Sequence, residues 1–149
     1  MNKKFIIKDF IIITLFTSIW VNVSELIRYF GYVRPKMMDY FTAIPNMGEI
    51  WNLQIIIVWG VFDTLLTALY VFLFWLCAQV FGNNSKSILV SGFMSWCFFF
   101  VLFWVGSANM HLANWNNLPV VLPMALLETL VASYIASKLY LNKTYSAKV

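Results

Sequence analysis

Charged residues are scarce in this chain. Only 11% of its 149 residues are Asp, Glu, Lys or Arg, and 62% are hydrophobic, whereas a soluble domain has roughly 25% charged residues. Too few charges are present to cover a water-exposed surface, and a nucleic-acid partner would require a basic soluble surface that is absent. The composition therefore predicts an integral membrane protein whose main partner is the lipid bilayer.

Catalytic and cofactor motifs are also missing. The sequence contains no G-x-S-x-G, no H-E-x-x-H, no phosphate-binding glycine loop and no metal-spaced set of His and Cys. His111 is the only histidine, so one chain cannot build a bis-His haem site. Cys77 and Cys97 lie singly within apolar runs, which is typical of packing thiols. The pattern predicts no cofactor and no metal, and it favours a protein that is not an enzyme.

The hydrophobic residues form four long runs, which cover about residues 10–30, 53–81, 88–109 and 118–141. A bilayer core about 30 Å thick requires roughly 20 apolar residues per helix, so each run is long enough to cross it. Because the runs do not alternate polar and apolar residues, helices rather than β-barrel strands must satisfy their backbone groups. No small-x-small cleavage site follows the first run, which is expected to be retained. The sequence predicts one all-α domain over residues 1–149, a polytopic four-transmembrane-helix bundle.

Basic residues indicate the orientation of this bundle. If the chain crosses the bilayer four times, seven lysines fall on one side, and two arginines and one lysine fall on the other. Because basic residues concentrate in cytoplasmic loops, both termini are predicted to be cytoplasmic, in a cytoplasmic (inner) membrane. The first group is Lys3, Lys4, Lys8, Lys86, Lys138, Lys143 and Lys148, and the second is Arg28, Arg34 and Lys36.

Three connections join the predicted helices. The loop at 31–52 contains two prolines and two glycines, which interrupt helices, and its apolar residues favour a short interfacial helix. The segment 82–87 is short and rich in Gly, Asn and Ser, which predicts a tight antiparallel hairpin. The loop at 110–117 has Trp and Asn residues suited to a membrane interface. We expect the first and third loops to cover the outer end of the bundle.

Three carboxylates lie inside the predicted helices. Glu25, Asp63 and Glu128 fall in the first, second and fourth helices, and Arg28 follows Glu25 by about one helical turn. An ionisable side chain at the bilayer centre costs about 2.5 to 3.5 kcal/mol on insertion scales, so such residues indicate a functional site. At 1.5 Å per residue, all three acids lie within roughly 10 Å of the midplane, in its outer half. We expect them to share one buried site.

Charge balance limits what this site can hold. If all three acids are ionised, Arg28 leaves two surplus negative charges, so either carboxylates are protonated or a bound cation supplies the balance. Projection at 100° per residue places Tyr70 on the face of Asp63 and Asn109 on a polar face of the third helix. We expect both to support the site. The candidate ligand- or ion-binding residues are Glu25, Arg28, Asp63, Glu128, Tyr70 and Asn109.

Structural roles compete with function at each of these positions. Glu25 and Arg28 have the spacing of an intrahelical ion pair, which lowers the cost of insertion while Arg28 extends towards the headgroups. Asp63 and Glu128 are equally consistent with hydrogen bonds between helices. The Ser, Thr, Gly and Ala residues on the same helix faces are typical of helix packing.

The second and fourth helices carry similar hexapeptides. Residues 63–68 read Asp-Thr-Leu-Leu-Thr-Ala and residues 128–133 read Glu-Thr-Leu-Val-Ala-Ser. Two tandem hairpins related by an axis along the membrane normal would make Asp63 and Glu128 equivalent, as in transporters built from parallel repeats. Chance similarity within a restricted set of residue types is the alternative.

These observations lead to two functional hypotheses. The first is a small proton- or cation-linked carrier or channel-like protein, forming a homo-oligomer because four helices enclose little volume. The second is an accessory or assembly subunit whose polar faces recognise the helices of a membrane partner. A membrane enzyme that uses an acidic pair on a lipid is a third reading, with no nucleophile or metal set to support it.

Overall fold

The computed structural model describes residues 5–40 and 53–146, and all the regular structure within these two stretches is helical. Two wide π-helical turns interrupt the α-helices at Tyr29–Val33 and Trp96–Val101, and a 3-10 turn at Trp115–Asn117 precedes the last helix. The α-helices are α1 (Ile7–Arg28), α2 (Arg34–Tyr40), α3 (Leu53–Phe81), α4 (Ser85–Ser95), α5 (Leu102–Asn109) and α6 (Leu118–Ser146).

Joined through the wide turns, these elements make four long helices that are apolar enough to cross a membrane: Ile7–Asp39, Leu53–Phe81, Ser85–Asn109 and Trp115–Tyr140. In the most apolar 18-residue stretch of each helix, between 22% and 39% of the stretch is buried inside the protein. Large apolar side chains such as Ile19, Leu65, Phe103 and Leu127 are more than half exposed on the outside of the bundle. An apolar exterior around a small interior fits lipid rather than water as solvent, and the expected all-α architecture is confirmed.

The first long helix extends further than the sequence predicted. The first part of the expected loop at 31–52 is helical, because the wide turn and α2 continue the helix to Tyr40. Pro35 lies inside this continuous helix, directly after the wide turn, which already interrupts the α-helical hydrogen-bond pattern. The remainder of that predicted loop, residues 41–52, lies outside the described residues.

The predicted hairpin between the second and third long helices is confirmed. Gly82 takes a positive φ of 79° and its N–H donates to Ala78 O, which ends α3 in the left-handed conformation that glycine tolerates. Asn84 then caps α4 by accepting a hydrogen bond from Ser87 N at 3.2 Å. We call this end of the bundle the hairpin end.

The opposite end, called here the α2 end, carries α2 and the connection from α5 to α6. His111 takes a positive φ of 59°, and the N–H of Leu112 donates to Ser107 O at 2.9 Å. This is a Schellman closure of a helix with histidine in the position that glycine usually occupies. Asn114 then caps the short 3-10 turn by accepting from Asn116 N at 2.9 Å.

The last helix, α6, is the centre of the packing and contacts α1, α3 and α4. The indole N–H of Trp20 donates to Glu128 O at 3.1 Å, and that of Trp96 donates to Leu122 O at 2.7 Å. Two groups of buried residues fill the interior. Core A, nearer the α2 end, contains Val21, Tyr70, Phe100, Ala125 and Ala132, and core B, nearer the hairpin end, contains Ile13, Val71, Phe74 and Ala136.

Candidate functional site

Arg28 joins two of the three predicted carboxylates. Its guanidinium forms an ion pair with Glu25 on the same helix, and its Nη1 lies 3.3 Å from Glu128 Oε2 on α6. Arg28 is 3% exposed and Glu128 is fully buried, whereas the Glu25 side chain is 24% exposed. The Glu25–Arg28 spacing predicted an intrahelical pair, and the structure adds Glu128 as a second, more deeply buried partner.

Opposite helix directions bring Arg28 and Glu128 together. The Trp20–Glu128 hydrogen bond places Glu128 near the level of Trp20, about two helical turns from Arg28 along α1. Side chains in helices lean towards the N-terminus of their own helix. Because α1 and α6 run in opposite directions, Arg28 leans towards the hairpin end and Glu128 leans towards the α2 end. The two lean towards each other and close the gap.

The ion pair leaves Glu128 incompletely satisfied. Neither of its carboxylate oxygens has a hydrogen-bond partner within the described residues, and the same holds for Arg28 Nη1. The Ser24 hydroxyl approaches the Glu128 carboxylate without completing a hydrogen bond. A buried carboxylate without hydrogen-bond donors is strongly destabilised as an anion. Glu128 is therefore a position where a proton or a bound cation is favoured.

Asp63 lies on α3 beside this pair. It is 7% exposed, and the charges of Glu25 and Arg28 both act on its carboxylate. The ion pairs of Arg28 nevertheless go to Glu25 and Glu128 and not to Asp63. One guanidinium thus faces three carboxylates, so two negative charges remain unbalanced if all three are ionised. Glu25, Arg28, Asp63 and Glu128 are called below the charged cluster.

Tyr70 lies next to the charged cluster. It is 1% exposed, its hydroxyl has no hydrogen-bond partner within the described residues, and its ring packs against Phe99 at 5.6 Å between centroids. The phenol is a neutral donor and acceptor, and it lies within range of the charges of the cluster.

Both wide helical turns border the charged cluster. The first begins at Tyr29, directly after Arg28, and the second contains Phe99 and Phe100. The Phe100 ring lies 4.6 Å from the Arg28 guanidinium carbon, which is a cation–π contact. Single π-helical turns occur frequently at functional sites. Neither these turns nor Phe100 was foreseen, because the run of three phenylalanines at 98–100 carries no local sign of its partner.

Asn109 does not join the cluster. It is the last residue of α5 at the α2 end and is exposed. Its predicted supporting role remains a prediction. Within the described residues, no group of three or more His, Cys, Asp and Glu side chains is arranged to hold a metal ion.

A polar cavity of about 390 Å³ opens at the α2 end, between the end of the first long helix and the connection before α6. Tyr32, which lines it, lies one helical turn beyond Arg28. Described residues of the first and third connections thus line one cavity, and the prediction that the two loops cover the outer end of the bundle stays a prediction. The residues that line the cavity are Tyr32, Lys36, Asp39, Asn114, Asn116 and Asn117.

The two acids of the similar hexapeptides lie on helices that run in the same direction, Asp63 on α3 and Glu128 on α6. The threonine after each acid bonds back to its own helix, with Thr64 donating to Gly60 O and Thr129 to Leu126 O. The predicted duplication remains a prediction.

No protein-family model matches the chain, and neither the curated proteins nor the solved structures include a match.

Proposed function

We propose that this protein is a small carrier or channel-like protein of the cytoplasmic membrane, in which the charged cluster binds a proton or a monovalent cation during transport. The observation that carries the proposal is Glu128, a fully buried carboxylate that shares the Arg28 guanidinium with Glu25 and whose oxygens complete no hydrogen bond within the described residues. Packing alone does not require such a group, and a polar residue at this cost marks a functional position in membrane proteins.

The balance of charge supports a transported cation rather than an anion. The three acids and one guanidinium favour uptake of positive charge, and partial exposure of Glu25 leaves one acid reachable from outside the core. The polar cavity, one turn beyond Arg28, is the mouth through which an ion or a solute reaches the cluster. Its lining of one Lys, one Asp, one Tyr and three Asn suits a hydrated or zwitterionic species.

The proposed topology has four transmembrane helices with both termini in the cytoplasm. Lys8, Lys86 and Lys138 lie at the hairpin end of the bundle, and Arg34 and Lys36 lie at the α2 end. Together with the lysines near both chain ends, this excess favours a cytoplasmic hairpin end. The polar cavity then faces the outside of the cell.

Flux measurements in liposomes test the proposal. Purified protein is reconstituted with the pH dye pyranine inside, a potassium diffusion potential drives the flux, and sodium and potassium movement is followed in parallel. We expect Glu128→Gln and Asp63→Asn to abolish flux while the protein still inserts. Asp9→Asn, which removes a carboxylate remote from the cluster, is the matched control and retains flux. Undiminished flux in both cluster variants would reject the proposal.

A second candidate is an accessory subunit that binds a partner helix, and one observation favours it. An apolar groove of about 390 Å³ runs along the outside of the bundle between α4 and α6, where Gly92 brings the two backbones close. A photo-crosslinking residue at Leu126, in the groove, is expected to capture a second protein chain in native membranes, and the same residue at exposed Leu65 is not. The residues that line the groove are Leu89, Val90, Phe93, Met94, Leu126 and Leu130.

A further inference from the structure

Buried hydroxyl groups within the described residues differ in whether they have a hydrogen-bond partner. Some donate to a carbonyl of their own helix, as Thr67 does to Asp63 O at 2.7 Å and Ser91 does to Ser87 O at 2.7 Å. This is the usual way in which Ser and Thr are satisfied within helices. A second kind has no hydrogen-bond partner within the described residues although it is at most 1% exposed, and its members are Thr17, Tyr70, Ser95 and Ser133.

The four unpartnered hydroxyls come one from each long helix and lie at a similar level. Thr17 lies on α1 between Ile13 of core B and Val21 of core A, and Ser133 lies on α6 between Ala132 and Ala136 of the same two cores.

Tyr70 belongs to core A and directly precedes Val71 of core B. Ser95 lies between Ile88, which packs on core B, and Trp96, which packs on core A. We call these four groups, at the junction of the two cores, the hydroxyl layer.

The hydroxyl layer lies on the hairpin-end side of Glu128. On α6, Ser133 comes five residues after Glu128, about 7.5 Å closer to the hairpin end. On α1, Thr17 lies about one turn closer to the hairpin end than Trp20, whose indole N–H donates to Glu128 O. Thr14, one turn closer to the hairpin end on α1, is 6% exposed and also lacks a partner within the described residues. The unpartnered hydroxyls therefore continue away from the charged cluster towards the hairpin end.

Hydroxyl groups suit one kind of occupant. Each carries one donor and two acceptor positions, and leaving several such groups unpaired in a protein interior is costly. Ordered water molecules commonly satisfy buried polar groups of this kind. A row of hydroxyls and water lets a proton hop, because every member accepts one proton and releases another and keeps no net charge.

We propose that the hydroxyl layer, with bound water, is the relay through which Glu128 exchanges protons with the hairpin end of the bundle. The proposal rests on the proposed function and identifies its coupling ion as a proton. In the transfer towards Glu128, a hydronium ion at the hairpin end gives up a proton and becomes water, each hydroxyl accepts one proton and passes its own on, and the carboxylate becomes a neutral acid. No other charge moves.

A proton fits this location better than a metal cation. The oxygens of the layer are neutral, and the Arg28 guanidinium lies 3.3 Å from the Glu128 carboxylate and repels a second full charge there. A dehydrated sodium or potassium ion would require the layer to replace most of its water shell with neutral oxygens.

Proton flux into pyranine-loaded liposomes tests the relay. Tyr70→Phe removes only the phenolic oxygen, and Ser133→Ala removes one hydroxyl on α6. We expect the flux to fall about tenfold or more in each, because a positioned proton donor and acceptor typically contributes at least that much to transfer. Ser91→Ala is the matched control. Its hydroxyl is equally buried and already bonded to Ser87 O, so its flux remains that of the wild type.

A second readout is independent of transport. Infrared spectroscopy follows hydrogen–deuterium exchange at the carboxyl group that the Glu128→Gln variant identifies. Slower exchange in Tyr70→Phe and Ser133→Ala than in Ser91→Ala supports the relay, even if no net flux is found and the proposed function fails. Wild-type flux and exchange in both hydroxyl variants would overturn the relay and leave the role of Glu128 standing. Sodium or potassium flux without proton flux would also overturn it.

Discussion

Buried polar groups towards the two ends of the bundle differ in whether their hydrogen bonds are satisfied. At the hairpin end, Asn83 Nδ2 donates to Ser137 O at 3.0 Å, Ser137 Oγ donates to Asn83 Oδ1 at 2.6 Å, and Ser87 Oγ donates to Cys77 O at 3.2 Å. Towards the α2 end, Glu128 shares one guanidinium with Glu25, and neither of its carboxylate oxygens completes a hydrogen bond within the described residues.

This difference distinguishes polar groups that stabilise the fold from polar groups that we expect to serve the function. Neutral side chains that donate hydrogen bonds to backbone carbonyls stabilise a contact between helices, because donor and acceptor are both satisfied. Charged groups that share a partner are held in place by the rest of the fold, and they remain able to change protonation or bind an ion. The following predictions break or sharpen this contrast, from the largest expected effect to the smallest.

Arg28→Met removes the only cation of the charged cluster. It leaves buried Glu128 beside Glu25 without compensation, so we expect a loss of about 3 to 5 kcal/mol in the free energy of unfolding. SDS-induced unfolding in mixed micelles, followed by tryptophan fluorescence, measures it. Lys138→Met, an exposed basic residue at the hairpin end, changes stability by about 0.5 kcal/mol or less.

Neutralising the acids sharpens that result. Arg28→Met combined with Glu25→Gln and Glu128→Gln is expected to recover much of the loss, because removing a whole buried ion pair is far less harmful than removing one partner. Equal stability of Arg28→Met and the wild type would show that the ion pair does not support the fold.

Gly92→Ala tests the close contact of α4 and α6. A Cβ at position 92 would lie 3.1 Å from Leu130 Cα, a backbone atom that cannot move aside freely. Overpacking of this kind costs about 1 to 3 kcal/mol. Gly106→Ala, nearer the α2 end, meets nothing within 4 Å, and in the same SDS titration it keeps or slightly raises stability. Similar behaviour of the two variants would contradict the close contact.

Asn83→Ala breaks the polar link at the hairpin end. Both of its hydrogen bonds to Ser137 are lost, and buried Ser137 Oγ loses its acceptor. We expect a loss of about 1 to 2 kcal/mol, the range for a buried hydrogen bond that leaves one partner unsatisfied. Thermal unfolding of purified protein measures this change. Ser137→Ala destabilises less, since the Asn83 Nδ2 bond to the Ser137 carbonyl survives; the reverse order would contradict the assignment.

The left-handed residues at the two ends predict opposite small changes. Gly82→Ala puts a side chain on a φ of 79° and is expected to destabilise by about 1 kcal/mol. His111→Gly relieves the same restriction at φ 59° and is expected to stabilise by up to about 1 kcal/mol. The two shifts in melting temperature should differ in sign, and shifts of the same sign would mean that side-chain contacts outweigh the backbone conformation.

Part of this arrangement was predictable because it is local. The lengths of the apolar runs predicted four long helices, and the Gly-Asn-Asn-Ser stretch after Phe81 predicted the hairpin, since both depend on neighbours along the chain. The i, i+3 spacing of Glu25 and Arg28 likewise predicted their ion pair. The extension of the first helix through Pro35 was missed, because proline usually ends a helix and the wide turn before it carries no local sequence sign.

The sequence by itself determined the apolar helices, the scarcity of charge, and the fact that three acids and one arginine lie within them. Only the tertiary structure decided that Arg28 pairs with Glu128 and not Asp63, that Phe100 lies against the guanidinium, and which of the described hydroxyls have no partner among the described residues. The physical reason is that helix formation follows from bonds between near neighbours, whereas these choices depend on the relative level and rotation of helices far apart in the chain.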